Sequence, residues 1–391
     1  MTRHILSRII ALLMFLFCLT GGLSAEIIYD KDFGFSLDIP EGFEMTDSTE
    51  DGMSILLTHQ NIPVTLAIKI YYKSEYKSSE ESLEAALNKL SAEASLDKVK
   101  WSGENCAVST FSMNLDQKYS GWAVGAPVKM ESQLVVLCYA PDNIFQQCQF
   151  FIISAINSLS IKDEFYNIPG IFTQYAFPNQ GKKAVSARIG GKEITSYIDE
   201  SDVSAADFLT NIEYSILVMY ANHPKKIEAW ERYYRMIYRD SFGRLADFSS
   251  QVHDTLYPLA RQQNPENADI AYAQMLLSWV QGFHYKRADK ASATDFTSLP
   301  AMLCGEGNDC DSRSMLLCVL LKSAGIDSIF LFSPVYSHAI AGAGIKAPGQ
   351  TFLLKDNGVE YLMGETTANV TWGIIAQEHA DRNKWVPVIL P

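Results

Sequence analysis

Residues 307–326, GNDCDSRSMLLCVLLKSAGI, constrain the fold more than any other stretch of the chain. Asn308, Asp309 and Asp311 crowd the start of an apolar-periodic run carrying Met315, Leu316, Val319 and Leu320, and Lys322 and Gly325 close it. Capping residues in front, with a basic residue and a glycine behind, delimit a helix. So apolar a helix must be buried. Strand-like runs follow it: DSIFLFSP, SHAIAGAGI, QTFLLKDNGVEYLMGE and KWVPVIL. Within the third, Asp356-Asn357-Gly358 separates two alternating runs and reads as a tight hairpin turn. Helices first and an antiparallel sheet after them predict an α+β arrangement.

The N-terminal side reads as a second α+β unit. GFSLDIPEGFEM alternates around Phe35, Leu37 and Ile39 and breaks at Pro40-Glu41-Gly42. MSILLTH, VTLAIKIYY, CAVSTFSMNL and MESQLVVLCYA continue as strands. SSEESLEAALNKLSAE is a helix with Ser78 and Glu81 at capping-box spacing, and NIFQQCQFFIISAINSLSI closes the unit as another. This order resembles, in pattern only, the PsbP-like α/β sandwich of exported bacterial domains; no stretch of it carries chemistry, so it is expected to be a binding or spacer domain, with an envelope component as the expected partner.

Residues 163–182, with Pro169-Gly170 and PNQGKK, have the look of a linker. AVSARIGGKEITSYID predicts a hairpin around Gly190-Gly191. A helix capped by Ser204 and stopped at Pro224 comes next, then IEAWERYYRMIYRDSFGRL, with Trp230, Tyr234 and Ile237 on one face and Arg232, Arg235 and Arg239 on another. That arginine stripe is read as solvated or paired with carboxylates, rather than as a clamp for an acidic partner. NADIAYAQMLLSWVQGFHYKR is a strongly apolar helix. The expected division is 1–25 leader, 26–162 PsbP-like unit, 163–260 hairpin and helical connection, and 261–391 catalytic domain.

The leader expectation rests on Arg3 and Arg8, an apolar run from Ile9 to Leu19 and a small-residue region ending Ser24-Ala25. That layout is a secretory signal peptide, so the protein is expected to be exported to the periplasm or beyond. No later stretch is apolar for long enough to span a membrane. Of 32 basic and 45 acidic side chains, cleavage would remove two arginines and no acid, taking the net charge from −13 to −15. A surface that acidic repels phosphate backbones and argues against nucleic acid as a partner. Cys106, Cys138, Cys148, Cys304, Cys310 and Cys318 would remain, with no metal-ligand spacing among them. Cys138 and Cys148 are candidates for a bridge or for simple burial. No HExxH, phosphate loop or acidic cluster implies a metal or a nucleotide cofactor.

Chemistry concentrates at Cys310. A thiol in the first turn of a helix meets the positive end of the dipole and unsatisfied N–H groups, which lower a cysteine pKa. Cys318, two turns on inside LLCVLL, is core by comparison. A nucleophilic thiolate needs a base, and the base an orienting acid. His338 opens the run of small residues in SHAIAGAGI, and Glu365 ends a strand that the hairpin can lay beside it. His284 and His379 lack that setting. Cys304 is the rival partner of Cys310, through a disulfide that would silence the thiol.

GNDCDSRSMLLCVLLKSAGI, SHAIAGAGI and EYLMGETT, in this order, resemble the transglutaminase-like, papain-related superfamily over roughly residues 268–380. WVQGFHYKRAD and DFTSLPAMLCGEG resemble the segments that precede the cysteine in its bacterial members. The resemblance implies Cys310 as nucleophile, His338 as base and Glu365 as third member, where many members carry Asp. It implies a protease or amidase acting on a protein or peptide through an acyl-enzyme. A transglutaminase-type acyltransferase and a non-catalytic envelope-binding protein are the alternatives. The Cys310 backbone N–H is the expected oxyanion donor. Trp279, Gln281 and Tyr285 are candidates for a second.

Overall fold

Period-two alternation carries the first part of the chain into sheet. The computed structural model describes residues 27–73, 75–162, 166–287 and 294–391. The leader expected at residues 1–25 lies outside them. Strands β1 (Ile27–Asp30), β2 (Phe35–Asp38), β3 (Phe43–Ser48), β4 (Ser54–His59) and β5 (Thr65–Tyr71) precede helix α1 (Ser79–Lys89). Strands β6 (Glu93–Trp101), β7 (Glu104–Asn114), β8 (Lys118–Val128) and β9 (Ser132–Pro141), helix α2 (Phe145–Asn157) and strand β10 (Leu159–Ser160) follow. The seven-stranded antiparallel sheet runs β3-β4-β5-β9-β8-β7-β6, and β1-β2-β10 form a small second sheet. Along β9, Val135 and Leu137 pack with Leu83 and Leu87 of α1, whereas Leu134, Val136 and Cys138 pack with Phe151 and Ile152 of α2. Alternate residues therefore face helices on opposite sides of the sheet.

Ser78 caps α1, its Oγ accepting from Glu81 N at 3.1 Å. Glu81 reaches back one residue further than the box predicts, accepting from Lys77 N at 2.9 Å. Strands β6 and β8 had no sequence expectation. β6 is largely exposed and carries little hydrophobic signal, and Gly121 and Gly125 dilute that of β8.

The described part of the expected linker is packed. Helix α3 (Ile171–Ala176) buries Ile171, Phe172 and Thr173. Trp101 Nε1 donates to Pro169 O at 2.9 Å, and Asn157 Oδ1 accepts from Phe172 N at 3.0 Å. A Cβ on Gly170 would stand 2.2 Å from Asn157 O, so the proline-glycine pair there serves close approach. Strands β11 (Lys182–Ile189) and β12 (Lys192–Asp199) form the expected hairpin, with Gly190 and Gly191 at φ +56° and +78°.

Helices α4 (Asp202–Met219), α5 (Lys226–Arg244), α6 (Ala246–Gln263) and α7 (Ala268–Gln281) come next. α4 begins before Ser204, because Asp202 receives Asp199 N and the helix opens directly off the hairpin. α6 had no sequence expectation, and Pro258 inside it disguises the pattern.

The arginine face of α5 is buried rather than solvated, with Arg232 and Arg235 paired with carboxylates as one of the two expectations had it. Arg232 binds Glu213 at 2.6 Å, Ser154 Oγ at 2.8 Å and Asp38 O at 2.7 Å. Arg235 binds both oxygens of Asp38, and Arg239 binds the carbonyls of Ile168, Ser158 and Leu159. The stripe ties α5 to the N-terminal layers. One contiguous buried cluster accordingly runs from Phe33 to Leu390.

Helix α8 (Leu299–Leu303) precedes α9 (Cys310–Ser323), after which β13 (Ser328–Ser333), β14 (His338–Ala343), β15 (Thr351–Leu354), β16 (Val359–Gly364) and β17 (Val386–Ile389) build an antiparallel sheet in the order β15-β16-β14-β13-β17. The chain is α+β throughout. The hairpin at Asp356-Asn357-Gly358 is longer than the expected tight turn, because Leu354 pairs Val359 across four intervening residues. Among the described residues no helix is long and apolar enough to cross a membrane.

Candidate active site

The start of α9 is fixed on three sides. Asp309 caps it, its Oδ1 accepting from Ser312 N at 3.0 Å and Ser312 Oγ at 2.9 Å. Arg313 reaches back to Asn308 Oδ1 at 2.7 Å, Phe283 O at 2.6 Å and Thr366 O at 3.2 Å. One guanidinium thus joins the helix start, the chain beyond α7 and the chain beyond β16. Gly325 at φ +77° ends the helix, its N–H donating to Lys322 O at 2.9 Å.

Cys310 is the first residue of that helix, fully buried, with a free thiol. Cys304 is free and exposed, so the rival disulfide between them is not formed. Cys138 and Cys148 are also free and buried, and Cys318 is core as expected.

His338 opens β14, directly after Ser337, whose φ of +49° is a left-handed conformation that costs a non-glycine residue about 1–2 kcal/mol. Pairing of Ala341 with Gly364 brings the end of β16 beside β14. Glu365, the next residue, sets Oε2 at 2.9 Å from His338 Nε2. Its Oε1 accepts from Thr367 N at 2.8 Å and Thr367 Oγ1 at 2.6 Å. Burial alone would raise this carboxyl, but the hydrogen bond and charge of His338, with the Thr367 donors, hold it at about 2.

The sulfur of Cys310 lies against the residue next to His338. It accepts from the backbone N–H of Ala339, and Ser314 Oγ donates to Ala339 O at 3.2 Å. The thiol itself donates to Asp311 Oδ1 at 3.3 Å. Its pKa is not lowered, as the helix position predicted, but pushed well above that of an ordinary thiol. Burial is the main cause, followed by the carboxylates of Asp311 and Asp309. The magnitudes explain the reversal. A helix N-terminus contributes about 0.3–1 kcal/mol at surface sites, under one pKa unit, whereas full burial shifts a group by up to about 3–5 units. Asp309 is itself raised by burial and by Asp311, and Asp311 is raised by burial. Tyr234 of α5 donates to Asp311 Oδ2 at 2.6 Å, completing a chain from phenol to carboxylate to thiol.

The three candidates for a second oxyanion donor separate clearly. Gln281 is committed: both N–H groups of its amide are used, on Glu365 O at 2.8 Å and Val370 O at 2.9 Å. Trp279 faces the β11–β12 hairpin, where it lines a groove with Arg188 and Ser278. Tyr285 is the candidate that senses the thiol electrostatically. Burial first, and then the charge of Cys310, raise its phenol. The Arg313 guanidinium lies 5.3 Å from its ring centre.

His379, set aside on sequence, belongs to the site. Its ring lies 5.1 Å from that of His338; Trp385 stands beside both rings and Tyr336 beside His379. Tyr234 and His379 carried no sequence signal as site residues, since each converges on Asp311 or His338 only through folding, whereas Asp311 adjoins Cys310 in the chain and was read there as a capping residue.

No family model and no curated protein matches the chain. Among solved structures it is similar to cyanobacterial PsbP from Synechocystis, with 9% identity, 36% of this chain and 94% of that one covered, and a TM-score of 0.30. LpqN, involved in cell envelope biogenesis of Mycobacterium tuberculosis, is 12% identical over 35% of this chain and 90% of its own, with a TM-score of 0.28. A structure described as "a putative cysteine protease from Cytophaga hutchinsonii" covers 90% of this chain and 71% of its own at 8% identity and a TM-score of 0.22. Likenesses this faint carry no function across.

Proposed function

We propose that the protein is an exported thiol-dependent acyl-transfer enzyme, a protease or amidase in which Cys310 is the nucleophile, His338 the base and Glu365 the residue that orients His338. The observation that carries this reading is the 2.9 Å bond between His338 and Glu365 beside a sulfur that rests on the Ala339 N–H. The resting state is a neutral thiol. Attack on an amide or ester carbonyl forms the S–C bond while the thiol proton passes to His338. His338 returns that proton to the departing amine or alcohol, and water resolves the thioester. The Cys310 N–H and the Tyr285 hydroxyl are the donors assigned to the oxyanion. Because the sulfur is enclosed, reaction requires local opening when substrate binds. An amine in place of water would make the same acyl-enzyme a cross-linking intermediate.

In this reading the chain divides near residues 162 and 260. The first unit holds an envelope partner, and the part from about 261 onward performs the chemistry on a protein or peptide.

The test is to treat the full chain with an activated acyl ester and locate the adduct by mass spectrometry. An adduct on Cys310 that is lost in His338→Ala, and cleared faster when an amine is added, fits acyl transfer. Acylation confined to exposed Cys304, or indifferent to His338, overturns it. A second reading, a binding protein that retains the architecture without activity, is favoured by one observation: burial and two carboxylates keep the Cys310 thiol protonated.

A further inference from the structure

We propose that His338, Glu365 and His379 form a binding site for a first-row divalent transition-metal ion, with zinc the best fit, and that the ion is a reversible inhibitor of the thiol chemistry. Binding stands on the geometry alone; the inhibition rests on the function proposed above.

The three side chains each present a ligand atom, and those atoms lie within 4.8 Å of one another. A tetrahedral zinc ion with bonds of about 2.0–2.2 Å holds its ligand atoms roughly 3.3–3.5 Å apart. His338 Nε2 and Glu365 Oε2, at 2.9 Å, need to part by only a few tenths of an ångström to admit it. Two imidazoles and one carboxylate form a donor set that suits zinc and leaves a further position open.

Two independent observations point to a ligand here. The first is His379 Nδ1, an enclosed ring nitrogen with no hydrogen-bond partner. Buried polar atoms are nearly always satisfied, and an exception asks for an occupant. The second is the built surround. Thr367 takes Glu365 Oε1 through two bonds, leaving Oε2 to the imidazole, and Gln281 fixes the Glu365 carbonyl. The His379 carbonyl accepts from Trp385 Nε1 at 2.9 Å, the Trp385 ring walls the two histidines, and the Tyr336 ring walls His379. Such outer contacts orient ligands and exclude water. His379 remains partly exposed, which gives an ion access.

Entry of the ion takes the Nε2 lone pair of His338, so the single proton of the neutral ring moves from Nε2, where it faced Glu365, to Nδ1. His338 is then unable to accept the Cys310 proton, and Glu365 no longer orients it. Spacing hides this site in the sequence. Its members sit at the start of β14, after β16 and shortly before β17, separated by the whole hairpin.

The experiment is calorimetric titration of the full chain with zinc, followed by cobalt(II) as a spectroscopic probe, on the parent, His379→Ala and the double variant Cys304→Ser/Cys310→Ser. The expected results are one site per chain, affinity reduced at least about a hundredfold in His379→Ala, and unchanged affinity without the thiols. A cobalt spectrum lacking thiolate charge transfer is expected alongside. Thermal melts verify that each variant is folded, and Glu365→Gln gives a second ligand test if His379→Ala is not. No binding, equal binding in a folded His379→Ala, or binding that disappears with the thiols overturns the site. Intact binding to a protein that forms no acyl-enzyme removes only the inhibitory role.

Discussion

Glu41 offers the sharpest physical test of how the N-terminal layers join the helices. It lies in the turn between β2 and β3, 1% exposed, and neither carboxylate oxygen has a partner beyond its own backbone N–H. Burial raises its pKa from 4.5 to about 7, opposed by Arg232, with Asp38 adding to the rise and Arg235 opposing it. The arginines do not win because each is committed elsewhere, Arg232 to Glu213 and Arg235 to Asp38. His59 Nε2 and the Tyr220 hydroxyl face the Glu41 carbonyl oxygen, at 2.9 and 2.6 Å. A carboxyl whose folded pKa exceeds its unfolded value binds its proton more tightly in the native state. Stability is therefore greatest below the unfolded value of 4.5, falls as pH rises to about 7, and is flat above. At about 1.4 kcal/mol per pKa unit, the loss across that window is about 3 kcal/mol. Glu41→Gln, which stays neutral, is expected to match the parent at about pH 4 and exceed it by up to about 3 kcal/mol at about pH 8. Urea melts of both proteins across that range measure the difference. A stability gap that does not vary with pH, or one that narrows as pH rises, refutes the reasoning.

Other consequences are as direct. Arg232→Met strands Glu213, which is 1% exposed, and is expected to cost about 3–5 kcal/mol in a denaturant melt; Arg232→Met with Glu213→Leu should recover most of it. Asp311→Asn removes a carboxylate that holds the Cys310 thiol protonated, so the pH midpoint for alkylation of Cys310 should move down, as read by iodoacetamide labelling and peptide mapping. On the proposed function, His338→Ala should slow acyl-enzyme formation by about 10²–10⁴-fold in stopped assays while leaving the fold intact. Gly364→Ala puts a Cβ 2.5 Å from the Trp372 ring, and overpacking there is expected to cost about 1–3 kcal/mol, visible as a lower Tm.

Local chemistry made some of the fold legible and hid the rest. The caps of α1 and α9 and the Gly190-Gly191 turn could be read because each is a contest between neighbouring residues: a side-chain oxygen meets an amide three positions on, or a glycine takes a positive φ. β6, β8 and α6 could not, since their apolar signal is diluted by exposure, by glycine or by Pro258. The arginine stripe of α5 was visible as a pattern, but its burial was not. Whether a guanidinium is solvated or enclosed depends on what another layer brings against it, here Asp38, Glu213 and six backbone carbonyls.

The same division holds at the site. By itself the sequence determined that a cysteine opens an apolar helix, that a histidine begins a strand and that an acid ends another, because periodicity and capping act over a few residues. Only the tertiary structure decided what those groups experience. It enclosed the thiol, and its two neighbours Asp309 and Asp311 with it, and so raised a pKa that the helix start would have lowered. It set Glu365 on His338, spent Gln281 on the carbonyl of Glu365, and brought His379 to the imidazole. Burial and charge are sums over everything folded nearby, and no local pattern encodes that sum.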